Sequence, residues 1–257
     1  MKLSKRMEAL ADLVSDGVRL ADIGCDHAYL PIELCRRGRI PSALAMDLRP
    51  GPLAAALEHI LEAGLQERIE TRLSDGMREL QPGEADTVMI SGMGGGLGCR
   101  ILQEGEQLLP ELQELILGPQ SDEDAVRHFL YDRGFVLDRE TFIEEEGKTY
   151  MLLHAVPAGA APAGTARGLT EAEAVYGPCL LRQRDPGLLA ALRKKQSKLQ
   201  YLQAQLADAP SEKGRRRAGE LSRDLRILEE ALAYFGKDAE GTGISFADTE
   251  EQDYEMQ

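Results

Sequence analysis

The sequence predicts an α/β protein in which a mostly parallel sheet is closed by an antiparallel hairpin and followed by a helical appendage. Three observations predict it. From Met1 to about Val156, short apolar runs alternate with amphipathic stretches, the pattern of successive βαβ units. The last two apolar runs are joined only by Glu144-Glu145-Glu146-Gly147-Lys148, too short for a crossover helix, so they pair antiparallel. Beyond a Pro/Ala/Gly-rich linker at 157–170, leucines recur at alternating intervals of four and three residues.

In order, an amphipathic helix over Leu3–Val14 precedes the strand Arg19–Ile23, whose apolar run (Val18, Leu20, Ala21, Ile23) arrives at Gly24. A polar turn then leads directly into a helix over Tyr29–Arg37. The strand Ala43–Asp47 and the helix Pro50–Ala63 repeat the unit, followed by the strands Ile69–Ser74 and Thr87–Ser91. Next come a helix over Gly96–Glu106, a strand over Leu115–Leu117 and a helix over Ser121–Arg133. The hairpin strands are Phe135–Phe142 and Thr149–Val156. Asp185-Pro186 reads as an N-cap with Pro in the first turn. Leu188, Leu192, Leu199, Leu202 and Leu206 form one heptad helix, interrupted by Lys195. After a turn at Ala209-Pro210-Ser211, Ala218, Leu221, Leu225, Leu228, Leu232 and Phe235 form a second, giving an antiparallel coiled-coil hairpin. The expected domains are 1–156, 171–235 and an acidic tail, 236–257, whose composition predicts disorder.

The net charge of −14 argues against a protein that coats nucleic acid by bulk electrostatics. The charge is uneven, however. Residues 1–175 carry 17 basic and 30 acidic side chains, residues 176–235 carry 12 and 7, and the tail carries 1 and 7. No apolar stretch approaches the length of a membrane span, and no signal core follows the basic N-terminus, so a cytoplasmic location is expected. Cys25, Cys35, Cys99 and Cys179 lack CxxC spacing and nearby His, which makes a disulfide framework or a metal site improbable and buried small hydrophobes the better reading.

The chemistry concentrates where strands end. A strand that ends in Gly24 and turns into a helix sets free backbone N–H groups beside a ligand, in the crevice where α/β sheets bind cofactors. Asp47 ends the second strand, where a carboxylate can accept from two ribose hydroxyls. Ser74-Asp75-Gly76 ends the third, where Asp75 can accept from an adenine amino group, and Ser91-Gly92-Met93-Gly94-Gly95-Gly96 ends the fourth, beside the transferred group. Each alone is commonplace, but four at consecutive strand ends follow the order an adenosine cofactor requires. After Gly24 stand Cys25, Asp26 and His27 rather than G-x-G-x-x-G, and Asp26 would repel a pyrophosphate. No phosphate-binding loop of the Walker type is present. S-adenosylmethionine, with an ammonium and a sulfonium, suits the acidic loop. By fold-level analogy, class I methyltransferases with Rossmann-like sheets also end in an antiparallel hairpin.

Leu3-Ser4-Lys5-Arg6, Ala21-Asp22-Ile23-Gly24 with Asp26-His27-Ala28-Tyr29-Leu30-Pro31, Asp75-Gly76, Gly92-Met93-Gly94-Gly95, Glu145 with Gly147-Lys148 and Tyr150, and Gly177-Pro178 together resemble the bacterial TrmK-type tRNA (adenine-N1)-methyltransferases. The resemblance runs from about residue 2 to 235 and implies methylation of N1 of adenosine 22 in tRNA by S-adenosylmethionine. It also implies cofactor contacts at Asp22, Gly24, Asp26, His27, Asp47, Asp75, Gly76, Gly92 and Met93. The acidic position after the second strand is commonly Glu in such proteins and here is Asp47, one methylene shorter. The tail from Gly236 has no counterpart in the family pattern.

N1 of adenine has an in-plane lone pair and needs no strong base, so positioning and exclusion of water carry the expected acceleration. The target lies on the Watson–Crick edge, so the base must be turned out. Asp26, which binds the ammonium or accepts the adenine amino proton, and Tyr29, which with Tyr150 is a ring available for stacking, are the catalytic candidates. The tRNA would meet basic residues at Lys2, Lys5 and Arg6, at Arg36, Arg37 and Arg39, and on the helical segment at Arg193, Lys194, Lys195, Lys198 and Arg215–Arg217. The competing readings are a methyltransferase for a small molecule or protein, with the coiled coil as a dimerisation arm, and a cofactor-sensing binding module. Monomer and weak dimer both fit the pattern.

Overall fold

The structure, a computed structural model, describes residues 3–165, 168–206 and 212–236. The expected turn at Ala209-Pro210-Ser211 and the acidic tail beyond Gly236 lie outside the described residues. The elements of the first part are α1 (Lys5–Leu13), β1 (Leu20–Ile23), α2 (Tyr29–Arg36), β2 (Ala43–Asp47), α3 (Pro50–Glu62), β3 (Ile69–Leu73), β4 (Thr87–Ser91), α4 (Gly95–Glu104), β5 (Glu114–Gly118), α5 (Glu123–Asp132), β6 (Phe135–Glu145) and β7 (Lys148–Pro157). A short 3-10 helix, Glu106–Glu111, which the sequence did not announce, lies between α4 and β5.

One seven-stranded sheet runs in the order β3-β2-β1-β4-β5-β7-β6. All neighbours are parallel except β7, which pairs antiparallel with both β5 and β6. Alternate residues along each strand face opposite ways. Leu20, Ala43, Ala45, Met89 and Ile116 pack with α1, α2 and α3, whereas Ala21, Ile23, Met46, Val88, Ile90 and Leu117 pack with α4 and α5. Both faces are thus buried, which is why β1, β2, β4 and β5 read as continuous apolar runs. The strand order reverses between β1 and β4, leaving a crevice at their carboxyl ends.

The hairpin strands are longer than expected because only Glu146 (φ 52°) and Gly147 (φ 73°) form the turn. Two successive left-handed residues make a primed turn, whose twist lets pairing continue to Glu145↔Lys148. At the other end of the sheet, Glu114 accepts from Ser15 N–H (2.9 Å), Thr87 Oγ1 (3.0 Å) and His154 Nε2 (2.8 Å). Burial raises the Glu114 carboxyl, but the bonds from His154 and Ser15 more than offset it and leave it at about 2.

The helices α6 (Glu171–Tyr176) and α7 (Pro178–Gln183) follow the linker. A capping box between Thr170 and Glu173 starts α6. The chain divides into two compact units at Gly187/Leu188, so α6 and α7 group with the sheet although the helical segment was expected to begin at 171. The reason is a buried ion pair. Arg127 on α5 meets Glu140 on β6 at 2.9 Å, and its Nη1 reaches the carbonyls of Ala174 (2.7 Å) and Val175 (3.2 Å). Glu140 in turn accepts from the Cys179 N–H at 2.8 Å.

The second unit contains α8 (Pro186–Leu206) from Leu188 onward and α9 (Glu212–Ala233). Leu188, Leu192 and Leu199 are buried on α8, and Leu221, Leu225, Leu228 and Leu232 on α9, whereas Leu202 and Ala218 are only half-buried. No helix among the described residues is long and apolar enough to cross a membrane. Cys25, Cys35 and Cys179 are buried, Cys99 is half-buried, and all four are free thiols.

Candidate active site

A cavity of about 690 Å³ opens at the carboxyl ends of β1, β2 and β4. Asp22, Gly24, Asp26, Tyr29, Asp47, Asp75, Gly76, Gly92 and Met93 all line it, so the fold gathers nine of the ten sequence-predicted positions. The β1–α2 turn that builds its floor is tightly wound. Gly24 (φ 74°), Asp26 (φ 47°) and Ala28 (φ 58°) are all left-handed, a conformation that costs non-glycine residues about 1–2 kcal/mol. The N–H groups of Gly24 and Cys25 donate to the Met46 carbonyl (2.8 and 3.0 Å), which ties the turn to β2. A Cβ on Gly24 would come within 2.7 Å of Met93 Cε, so this glycine also lets the β4 loop approach.

His27 is the exception. It is not among the cavity-lining residues. The left-handed residues on either side turn its ring toward Tyr29 (centroids 5.4 Å apart) and His59 of α3 (5.8 Å). Its Nε2 lies 3.5 Å from Asp26 Oδ1, and its Nδ1 is buried without a partner.

The floor is strongly acidic. Asp22 is buried beneath the cavity, and its carboxyl is pushed up to about 7, first by desolvation and then by the charges of Asp47 and Asp26. The same burial and the same carboxylates push the Cys25 thiol up, so it is no nucleophile at neutral pH. Asp47 is also buried and accepts from the Arg49 N–H at 2.8 Å. Asp75 is half exposed, 3.3 Å from Arg78. Crowded, partly desolvated carboxylates repel an anion and are relieved by a cation.

A methyltransferase-domain family profile matches residues 3–153. The tRNA (adenine(22)-N(1))-methyltransferase of Bacillus subtilis strain 168 is 32% identical over 233 residues, covering 90% of this chain and 98% of that protein. The chain belongs to this methyltransferase family. The crystal structure of the Bacillus subtilis tRNA methyltransferase TrmK superposes on this methyltransferase with a TM-score of 0.78 at 32% identity, over 90% of this chain and 98% of that one. A Streptococcus pneumoniae protein crystallised in complex with S-adenosyl-L-methionine is 34% identical, with a TM-score of 0.78 over 90% of this chain and all of that one. The Rossmann-like methyltransferase sheet expected from the sequence is the sheet found.

The sequence did not single out every wall of this methyltransferase's cavity. Met7 and Leu10 of α1, Leu97 and Arg100 of α4, and Gln120 after β5 also line it. Met7, Leu10 and Leu97 come from helices whose apolar faces read only as core, and no local pattern says which of them reaches a strand end. Nor are all the basic residues available. Arg37 is bound to Glu8 (2.7 Å) and Glu33 (2.9 Å), and Arg39 to Asp16 (2.6 Å), so both are committed to holding α1 and α2 in place.

Proposed function

We propose that this chain transfers a methyl group from S-adenosylmethionine to N1 of adenosine 22 in tRNA. The observation that carries the reading is the buried acidic floor, with Asp22 raised by burial and flanked by Asp47 and Asp26, in a member of this family. The donor set fits the cofactor. Asp22 and Asp26 would take the ammonium, Asp47 the ribose hydroxyls, and Asp75-Gly76 the adenine edge, in the order of the strands that carry them. Gly24, Gly92 and Met93 give close backbone approach, and His27 acts from behind by holding Asp26 and Tyr29. When bound there, S-adenosylmethionine supplies an electrophilic methyl group on a sulfonium.

The remaining work falls to the chain. N1 presents its own lone pair, so no general base is required. Tyr29 would hold the extruded base, which fixes the line of approach and excludes water. We take 1–156 as the cofactor-binding domain and α8 and α9 as the two arms of an antiparallel coiled-coil hairpin that grips tRNA. Arg216 and Arg217 support that role, because they pair with Glu220 (3.3 and 3.0 Å) yet stay 84% and 59% exposed. Such an activity belongs in the cytoplasm.

Incubation with labelled S-adenosylmethionine and unmodified tRNA, followed by nucleoside mass spectrometry, tests the reading. The expected product is 1-methyladenosine, and it should vanish when adenosine 22 of the tRNA is replaced. Intact cofactor binding without 1-methyladenosine would remove the proposal.

A further inference from the structure

The cavity has an end that the four strand-end motifs do not account for. Because β7 runs antiparallel to β5, its first residues, Lys148 to Tyr150, lie at the carboxyl edge of the parallel strands. Here α1 is tied to the hairpin. Lys5 Nζ donates to the Glu144 carbonyl at 3.1 Å, and the Arg6 N–H donates to Glu145 Oε1 at 3.3 Å. These bonds bring Arg6 into the cavity wall, with its guanidinium carbon 5.0 Å from the centroid of the Tyr150 ring.

Three arginines line the cavity, and two of them face carboxylates. Arg49 lies 3.8 Å from Asp47, and Arg100 lies 4.0 Å from Glu104. Among the described residues, no carboxylate comes within 4 Å of the Arg6 guanidinium, and its Nε is buried without a hydrogen-bond partner. A buried N–H left unpaired is unfavourable, so a ligand that accepts from it gains accordingly. A planar guanidinium held on an aromatic face is also pre-organised to meet a planar or tetrahedral oxyanion.

We propose that Arg6, seated on Tyr150, is an oxyanion subsite at the hairpin end of the cavity. The inference rests on the proposed function for its ligands, of which two carry the required group. One is the carboxylate of S-adenosylmethionine. The other is a phosphodiester of the RNA beside the target adenosine. Either would set a negative group opposite the acidic floor and so fix which way round the ligand sits.

The test compares wild type with Arg6→Gln and Arg6→Lys in the full-length protein, after thermal melts establish that each variant folds. If the cofactor carboxylate is the ligand, Arg6→Gln loses roughly tenfold or more in S-adenosylmethionine affinity and no longer distinguishes it from its decarboxylated analogue, which wild type does. If an RNA phosphate is the ligand, cofactor affinity is unchanged. In that case tRNA affinity falls by a similar factor, and the slope of log affinity against log salt drops by about one. Arg6→Lys restores part of either loss. Equal preference for the two cofactor analogues in wild type, with an unchanged tRNA affinity and salt slope in Arg6→Gln, would overturn the subsite. Cofactor binding is measured without turnover, so this outcome is distinct from a wild type that makes no 1-methyladenosine.

Discussion

Asp22→Asn is expected to weaken S-adenosylmethionine binding at least about a hundredfold while making the ligand-free protein more stable. Losing the charged partner of a desolvated cation typically costs about 2–5 kcal/mol, and a hundredfold is roughly 2.7 kcal/mol. The stability change has the opposite sign. The Asp22 carboxyl is raised above its ordinary value to about 7, so the folded state binds its proton more tightly than the unfolded chain does. Stability from this group is therefore present below about pH 4 and is lost as pH climbs toward 7. Above that, the buried charge is carried at a cost that Asn does not share. A gain of roughly 2 kcal/mol at pH 8 corresponds to a melting point higher by about 4–8 °C, and the gain shrinks at pH 5. A variant that melts lower than wild type at pH 8, or that binds the cofactor normally, would count against a buried cation site.

Breaking the Arg127–Glu140 pair is expected to be the most damaging change away from the site. Both side chains are fully buried, and between them they join α5, β6, α6 and α7. Arg127→Met leaves Glu140 charged and half-paired, and Glu140→Gln leaves a guanidinium without its counter-ion. Each should destabilise by about 3–5 kcal/mol. Replacing both together with apolar residues of similar volume should recover part of the loss, because the desolvation penalty of the pair disappears while the Ala174 and Val175 carbonyls and the Cys179 N–H lose their partners. Urea unfolding of the two single variants and the double variant measures this directly. Single variants within about 1 kcal/mol of wild type would mean that the pair is not what holds α6 and α7 to the sheet.

Most of the sheet was legible because its signals are local. The ends of β2 and β4 fall where the apolar runs stop, at Asp47 and Ser91. The site was legible for the same reason, since the topology brings strand ends together and the motifs sit on those ends. What escaped depends on distant partners or on single dihedral angles. Nothing near 127 in the chain announces that Arg127 will bond to carbonyls at 174 and 175, so α6 and α7 looked like the start of the helical segment. Thr170 and Glu173 did carry the capping-box signal for α6, beside a Pro/Ala/Gly-rich linker. His27 stands in the motif, but its ring lies against those of Tyr29 and His59 and it is not among the residues that line the cavity. Arg37 and Arg39 looked like a free basic patch because Glu8, Glu33 and Asp16 reach them only in the fold.

The central claim is that a crowded, buried carboxylate at the end of β1 waits for a cation. Titration calorimetry of S-adenosylmethionine binding at pH 6, in two buffers of different ionisation enthalpy, tests it most directly. Binding should release close to one proton per molecule bound, since Asp22 is largely protonated in the free protein at that pH and ionised in the complex. Affinity should rise about tenfold per pH unit toward pH 7 and level off above it, and Asp22→Asn should show neither effect. Binding that releases no proton and keeps the same affinity from about pH 5.5 to 8 would contradict the account.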